Sequence, residues 1–176
     1  MLAYALDAAV ASGCTPVLVV ASDDRVVDSV AVLAAGAGAR AEVEVVRNTE
    51  PERGIASSLQ CALRHLEPDG EVEAVVVGLA DQPLVGAEAY RRVAGAYDDG
   101  AYLAYATYAE VRGNPVLIAR RYWSDAMALG GDEGARVLFR RHPAVAVPCD
   151  GTGAPTDVDT PEDLAALNER GIFFEL

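Results

Sequence analysis

The sequence predicts an α/β domain with a mostly parallel sheet, and two observations carry that prediction. Short, almost wholly apolar runs of strand length, residues 16–21 (PVLVVA) and 72–79 (VEAVVVGL), read as strands covered on both faces. Around them lie stretches whose apolar residues recur at helical spacing, and strands alternating with helices build parallel sheets. The length of 176 residues suits one domain, 1–176, with one core.

The elements follow in order. Leu2, Leu6, Ala9 and Val10 share a helical face that Gly13 ends. After the strand at 16–21, Val26, Val27, Val30, Leu33 and Ala34 form a second helical stripe that stops near Gly36. Residues 41–46 alternate and read as a strand. Ile55, Leu59, Ala62, Leu63 and Leu66 repeat at helical spacing up to the Pro68-Asp69-Gly70 turn. The strand at 72–79 is followed by a helix over 88–97 and two extended stretches, 102–108 and 115–118. A helix over 133–141, an extended stretch at 144–147 and a helix over 161–170 complete the chain, with Pro161 in the last helix's first turn.

Composition narrows the functions. The net charge is −13 and no basic stripe is visible, which argues against nucleic acid. Every basic residue is an Arg; the sequence has no Lys. No apolar run reaches the roughly 18 residues of a membrane span, and residues 1–13 lack a basic leader and read as a helix. Cys14, Cys61 and Cys149 are widely separated, odd in number and without metal-like spacing, so they are expected as free thiols in a reducing compartment, the cytoplasm.

Ligands in such sheets bind beyond the carboxyl ends of the strands, so residues just after strands are the candidates. Asp81, in Gly78-Leu79-Ala80-Asp81-Gln82-Pro83, ends the most apolar strand. A carboxylate there suits a divalent cation held against a triphosphate; ordinary turn chemistry is the competing reading. Asp157 and Asp159 alternate on an extended segment and share a face, ahead of a helix start that Thr160 caps. Asn48 through Ser58 (NTEPERGIASS) holds Gly54, which opens a helix presenting Ser57 and Ser58, groups suited to a nucleotide or simply to capping. Arg112-Gly113-Asn114-Pro115 reads as a glycine turn before a strand, its Arg a phosphate ligand or an exposed loop residue. Gly130 through Arg136 is a Gly-rich loop entering a helix, with Asp132 as a possible N-cap. His65 and His142 have no motif around them and are expected at the surface.

Taken in order, these segments resemble the MobA-like nucleotidyltransferases, and among them the molybdenum cofactor cytidylyltransferases. The resemblance rests on Asn48…Gly54…Ser58, LADQP at 79–83, RGNPVL at 112–117, GDEGAR at 131–136 and DVDTPEDL at 157–164. It implies a Rossmann-like three-layer α/β/α domain of the nucleotide-diphospho-sugar transferase type. It also implies a Mg²⁺-dependent reaction in which a phosphate on a pterin-type cofactor takes CMP or GMP from CTP or GTP and pyrophosphate leaves. By resemblance, Asp81, Asp157 and Asp159 are the metal ligands, Asp81 and Asp159 the catalytic pair. Asn48, Gly54, Ser57, Ser58 and Ala80 would lie with Asp81 against the nucleotide. Arg112, Gly113, Asn114, Pro115, Asp132 and Arg136 would border the acceptor, and a molybdoenzyme would be the downstream partner.

The chain departs from the family in one respect. The family opens with a strand and a Gly-rich loop carrying an Arg and, slightly later, a Lys, whereas residues 1–4 look like the helix after that loop. The expectation is a sheet missing one central strand and a triphosphate missing its main donors. Three explanations stand side by side: a shortened form of an active enzyme, a diverged member that binds without catalysis, and a chain completed by a partner. An accessory protein of cofactor maturation and a guanylyltransferase acting on another phosphorylated small molecule are the alternative functions.

Overall fold

The computed structural model describes residues 1–36, 43–131 and 133–169, with backbone alone for 31–36. Leu33 and Ala34 of the second helical stripe, Ala41 at the start of a predicted strand, Asp132 and Arg170 therefore fall wholly or in their side chains outside the described residues.

The elements run α1 (Leu2–Ser12), β1 (Val17–Ala21), α2 (Asp24–Gly36), β2 (Val43–Arg47), α3 (Ile55–Leu66), β3 (Ala74–Val77), α4 (Ala87–Asp98), β4 (Leu103–Tyr108), β5 (Val111–Ala119), α5 (Trp123–Met127), α6 (Leu138–Arg141), β6 (Val145–Pro148) and α7 (Pro161–Glu169). Gly13 ends α1 with φ 86°, a left-handed conformation that only glycine adopts without strain, and its N–H caps Val10. Thr160 and Asp163 form a reciprocal cap at the start of α7: Asp163 N donates to Thr160 Oγ1 at 3.1 Å and Thr160 N to Asp163 Oδ2 at 2.9 Å.

The strands form two sheets. β1 and β2 pair in parallel, and the order of the second sheet is β3-β5-β4-β6. Within it β5 is antiparallel to both neighbours while β4 and β6 are parallel, so β3, β4 and β6 share one direction and β5 opposes them. Alternation along the strands splits the interior into two layers. Leu103 and Ile118 point to the side of α3, α5 and α6, where they join Leu63, Trp123 and Leu138. Ala104 and Leu117 point to the side of α4, where they join Tyr90, Val93 and Cys149. Leu6, Val17 and Val30 knit α1, β1 and α2 together. This is the three-layer α/β/α arrangement the sequence implies.

No hydrogen-bonded pairing joins β1 to β3 among the described residues, as expected of a sheet missing an inner strand. A cleft of about 1680 Å³ runs between the two, lined by residues 17–20 of β1 and all of β3. The cleft explains why β3, which the sequence predicts as a strand covered on both faces, is only half-buried at every position.

The segment 112–115 differs from its prediction. Arg112 to Pro115 lie inside β5, and the turn falls earlier, at Ala109 (φ 48°) and Glu110 (φ 67°). A two-residue hairpin wants positive φ at both central positions, usually supplied by Asn-Gly. Here Ala-Glu adopts it, steadied by Ala109 N donating to Asp150 Oδ1 at 2.7 Å. Glycine at 113 serves instead beside a bulge: Tyr105 pairs with Val116 and Ala106 with Gly113, which leaves Asn114 and Pro115 without opposite numbers on β4. The helix predicted over 133–141 is a 3₁₀ turn (Ala135–Val137) leading into the short α6.

Candidate active site

The loop after β3 carries Asp81. Its Oδ1 is buried and has no hydrogen-bond partner. Burial first, then the charge of Asp157 and lastly that of Asp159, raises its carboxyl above the ordinary carboxylate range. The three aspartates that the sequence singled out thus feel one another. The backbone reinforces the meeting, because Val158 N donates to Asp81 O at 2.9 Å and the Val158 side chain is buried. Asp157 and Asp159, on either side of Val158, remain exposed, which is the alternation expected of an extended segment.

Gln82 is the member of this group that the sequence reading passed over. It is 6 % exposed; its Nε2 donates to Asp157 Oδ1 at 2.7 Å and its Oε1 accepts from Asn114 Nδ2 at 3.2 Å. Asn114 is held in turn by the Tyr108 hydroxyl, which donates to its carbonyl at 2.9 Å. Burial pushes the Tyr108 phenol up to about 12, so it stays a donor. The bulge in β5 is what brings Asn114 to Gln82.

A second group sits at the start of α3. Asn48, buried just beyond β2, donates from Nδ2 to Ser57 Oγ at 2.8 Å and to Ser58 Oγ at 3.1 Å. Ser57 Oγ donates to Gly54 O at 2.8 Å. Gly54, at φ 82°, permits the sharp entry into the helix. The Gly-rich loop 130–134 leans on the same helix end, where Ala56 N donates to Gly131 O at 3.2 Å.

The third group is Arg112. Its guanidinium carbon lies 4.5 Å from the Tyr105 ring centre and 4.3 Å from that of Phe139, a cation held against two rings that are tilted by 59° with centres 5.8 Å apart. Burial, with Arg140 nearby, pulls its pKa below the ordinary guanidinium value. Ser58, Ala80, Arg112, Gly113, Asn114 and Arg136 all border the cleft between β1 and β3, so the structure brings these predicted residues to one opening. Asn48, Gly54, Ser57, Asp81, Asp157, Asp159 and Pro115 do not line it, and Pro115 is fully buried within the bulge. His65 is exposed and paired with Glu44 at 2.7 Å, whereas His142, expected at the surface, is half-buried against Tyr122 and paired with Asp125 at 2.8 Å. The three cysteines are free thiols, Cys149 buried and the other two half-buried.

Among the described residues no three His, Cys, Asp or Glu side chains form a ready metal cage. Mg²⁺ does not require one, since it is usually bound by one or two carboxylates together with substrate phosphates. An anionic oxygen buried without a donor, beside two further carboxylates, fits such an ion.

Three aspartates that meet beyond the end of β3, a polar helix start and an arginine held against two rings suit an α/β nucleotidyltransferase. The profile of the MobA-like NTP transferase domain matches residues 1–146, and the chain belongs to that family. No curated protein matches the chain in sequence. Rv0371c from Mycobacterium tuberculosis H37Rv is similar in structure at 30 % identity and TM-score 0.74, over 96 % of this chain and 82 % of that one. A molybdopterin-guanine dinucleotide biosynthesis protein A from Archaeoglobus fulgidus aligns at 17 % identity and TM-score 0.57, over 88 % and 77 % of the two chains. The 4-diphosphocytidyl-2C-methyl-D-erythritol synthase of Anaerococcus prevotii aligns at 12 % identity and TM-score 0.73, over 96 % and 87 %. These last two share the fold. No helix among the described residues is long and apolar enough to cross a membrane.

Proposed function

We propose that this nucleotidyltransferase is Mg²⁺-dependent and moves CMP or GMP from CTP or GTP to a molybdopterin-type cofactor, which then passes to a molybdoenzyme. The observation that carries the reading is the Asp81 carboxylate, with a buried orphan oxygen and two aspartates beside it. A second crystal structure of Rv0371c, at 28 % identity and TM-score 0.73, is of its complex with manganese. The molybdopterin acceptor is supported by the name of the Archaeoglobus protein.

In the reaction a phosphate oxygen of the acceptor attacks the α-phosphorus of the nucleotide. The new P–O bond forms as the bond to the bridging oxygen breaks, and pyrophosphate leaves. Such transfers depend on positioning and charge neutralisation more than on covalent catalysis. Asp81 and Asp159, with Asp157, would hold Mg²⁺, which when bound offsets the negative charge of the phosphates. Asn48 fixes the hydroxyls of Ser57 and Ser58 toward the nucleotide at the start of α3, with Gly54 and Ala80 allowing close approach. Arg112 and Arg136 offer cations to the phosphorylated acceptor, with Gly113 and Asn114 lining its side.

Isothermal titration of CTP and of GTP, with and without Mg²⁺, tests this reading. Binding of one nucleotide that requires Mg²⁺ and is lost in Asp81→Ala is expected. Nucleotide binding indifferent to both metal and Asp81 overturns it.

A further inference from the structure

We infer that the acceptor side of the site selects a molecule with two anionic groups: the reacting phosphate, met by Arg112 and Arg136, and a second anion, met by Arg140. The inference rests on the reading of Arg112 and Arg136 as acceptor-side residues and names the class of acceptor they take.

Three arginines gather around Phe139. The guanidinium carbon of Arg112 lies 4.3 Å from the centre of its ring. Arg136 and Arg140 sit four residues apart on the helical run that carries it, the 3₁₀ turn Ala135–Val137 followed by α6. Residues at that spacing share a helical face. Val137 and Leu138 are buried and anchor the run, while Arg136 and Arg140 are exposed. Arg112 is exposed as well, so a ligand can reach its charge.

None of the three has a carboxylate within ion-pair distance among the described residues, whereas Arg25, Arg47, Arg53, Arg91 and Arg92 each have one. A chain of net charge −13 has carboxylates in excess, yet no described one stands against this group. Like charges four apart on a helix repel, and Arg112 adds a third cation. Partial burial is the first cause that draws Arg112 below the ordinary guanidinium value, and the charge of Arg140 draws it the same way, so the two cations feel each other. The Tyr105 and Phe139 rings hold Arg112 there against that repulsion. An anion bound among the three relieves it.

One phosphate does not occupy all three. A phosphate monoester carries about −1.5 to −2 charges at neutral pH, which Arg112 and Arg136 match. Those two border the opening, beside Ser58 and Ala80; Arg140, one residue beyond Phe139, does not line it. Its charge therefore meets a part of the acceptor remote from the reacting phosphate. A carboxylate and a second phosphate supply the same chemistry, a planar or tetrahedral anion that takes paired N–H donors from a guanidinium.

The test needs neither nucleotide nor metal. Ethyl phosphate, phosphoglycolate and ethylene glycol bisphosphate are titrated into the wild-type chain at one ionic strength. Calorimetry reads affinity, and protection of each arginine from phenylglyoxal reads position. At least one of the two doubly anionic probes is expected to bind tenfold or more tighter than ethyl phosphate and to protect Arg140 together with Arg112 and Arg136. A preference for phosphoglycolate assigns the second anion as a carboxylate, and one for the bisphosphate assigns it as a phosphate. Arg140→Gln is expected to abolish the preference, Arg140→Lys to retain most of it, and Arg25→Gln, at an exposed arginine elsewhere, to leave it at the wild-type value. Equal or absent binding of all three probes overturns the inference, and so does a preference that survives Arg140→Gln. Nucleotide binding indifferent to Mg²⁺ and Asp81 would instead remove the transfer reaction and leave the preference for two anions standing.

Discussion

Gln82 Nε2 donates to Asp157 Oδ1 at 2.7 Å, across 75 positions of sequence, while the other end of the same amide accepts from Asn114 at 3.2 Å. One buried side chain thus fixes an aspartate of the segment before α7 against the loop after β3 and the bulge of β5. A carboxylate alone could swing away; a carboxylate held by an amide is oriented before any ligand arrives. Gln82→Leu keeps the bulk but strips Asp157 and Asn114 of their partner. If Asp157 holds the metal as proposed, kcat/KM is expected to fall roughly 10–100-fold, with a stability loss of about 1–3 kcal/mol for the orphaned groups. Steady-state kinetics and urea titration read the two. Unchanged kinetics beside a full stability loss would make Gln82 a purely structural residue.

Asp81 gives a pH prediction whose sign follows from its environment. Its folded pKa is raised, by burial and then by Asp157 and Asp159. The protonated carboxyl therefore contributes stability that is fully present below the unfolded value, about 3.9, and is lost as pH rises through the folded pKa. Asp81→Asn is neutral at every pH and keeps what the ionised carboxylate loses. The variant should melt above wild type at pH 7, and the gap should close as the pH is lowered toward 4. Added Mg²⁺ should raise the melting temperature of wild type and leave that of Asp81→Asn unmoved. Thermal scans from pH 4 to 8 decide it, and a lower melting temperature for the variant at pH 7 would contradict the account.

Asp81, the paired aspartates and the serines of α3 were legible because each follows from a local pattern. An apolar run ends at Asp81, Asp157 and Asp159 flank a buried valine, and Gly54 opens a helix of clear period. Gln82 was not legible, because a glutamine beside a proline is ordinary turn chemistry until its partners, distant in sequence, are known. The hairpin at Ala109-Glu110 was hidden for the opposite reason: the residues that turn the chain carry no turn signal, and nearby Gly113 does. Helix α5, five residues from Trp123 to Met127, is too short to show a period and was missed. The divided sheet was foreseen only through the family resemblance, since periodicity within a strand says nothing about its neighbours.

Gly78 makes a packing prediction at the mouth of the site. A Cβ there would stand 2.0 Å from the Tyr90 hydroxyl and 2.7 Å from the ring carbon that bears it. Tyr90 is 6 % exposed within the α4 layer, and its side chain, which also borders the cleft, must shift toward it to clear the new Cβ. Gly78→Ala should cost about 1–3 kcal/mol through this overpacking. Adding Tyr90→Phe removes the nearest atom but leaves the ring edge too close, so the double variant should recover part of the loss and not all. A double-mutant cycle by urea titration measures the coupling; additive losses would show that the two residues do not meet.

Arg112 separates charge from shape. Its guanidinium lies against both Tyr105 and Phe139, at 4.5 and 4.3 Å, in the angle between two rings tilted by 59°, where a flat cation can rest on each. Lysine keeps the charge but has no flat face to lay on either ring, and each face is worth roughly 0.5–1 kcal/mol. If Arg112 presents its charge to the phosphorylated acceptor, Arg112→Lys should raise the acceptor KM about 5–30-fold, the equivalent of losing both faces. The affinity for nucleotide and the value of kcat should hardly change, since neither the Asn48–Ser57–Ser58 group nor Asp81 is disturbed. Phe139→Leu, which removes one face and leaves the arginine, should give a smaller rise in the same constant. A rise in the nucleotide KM instead would move Arg112 from the acceptor side of the opening to the nucleotide side.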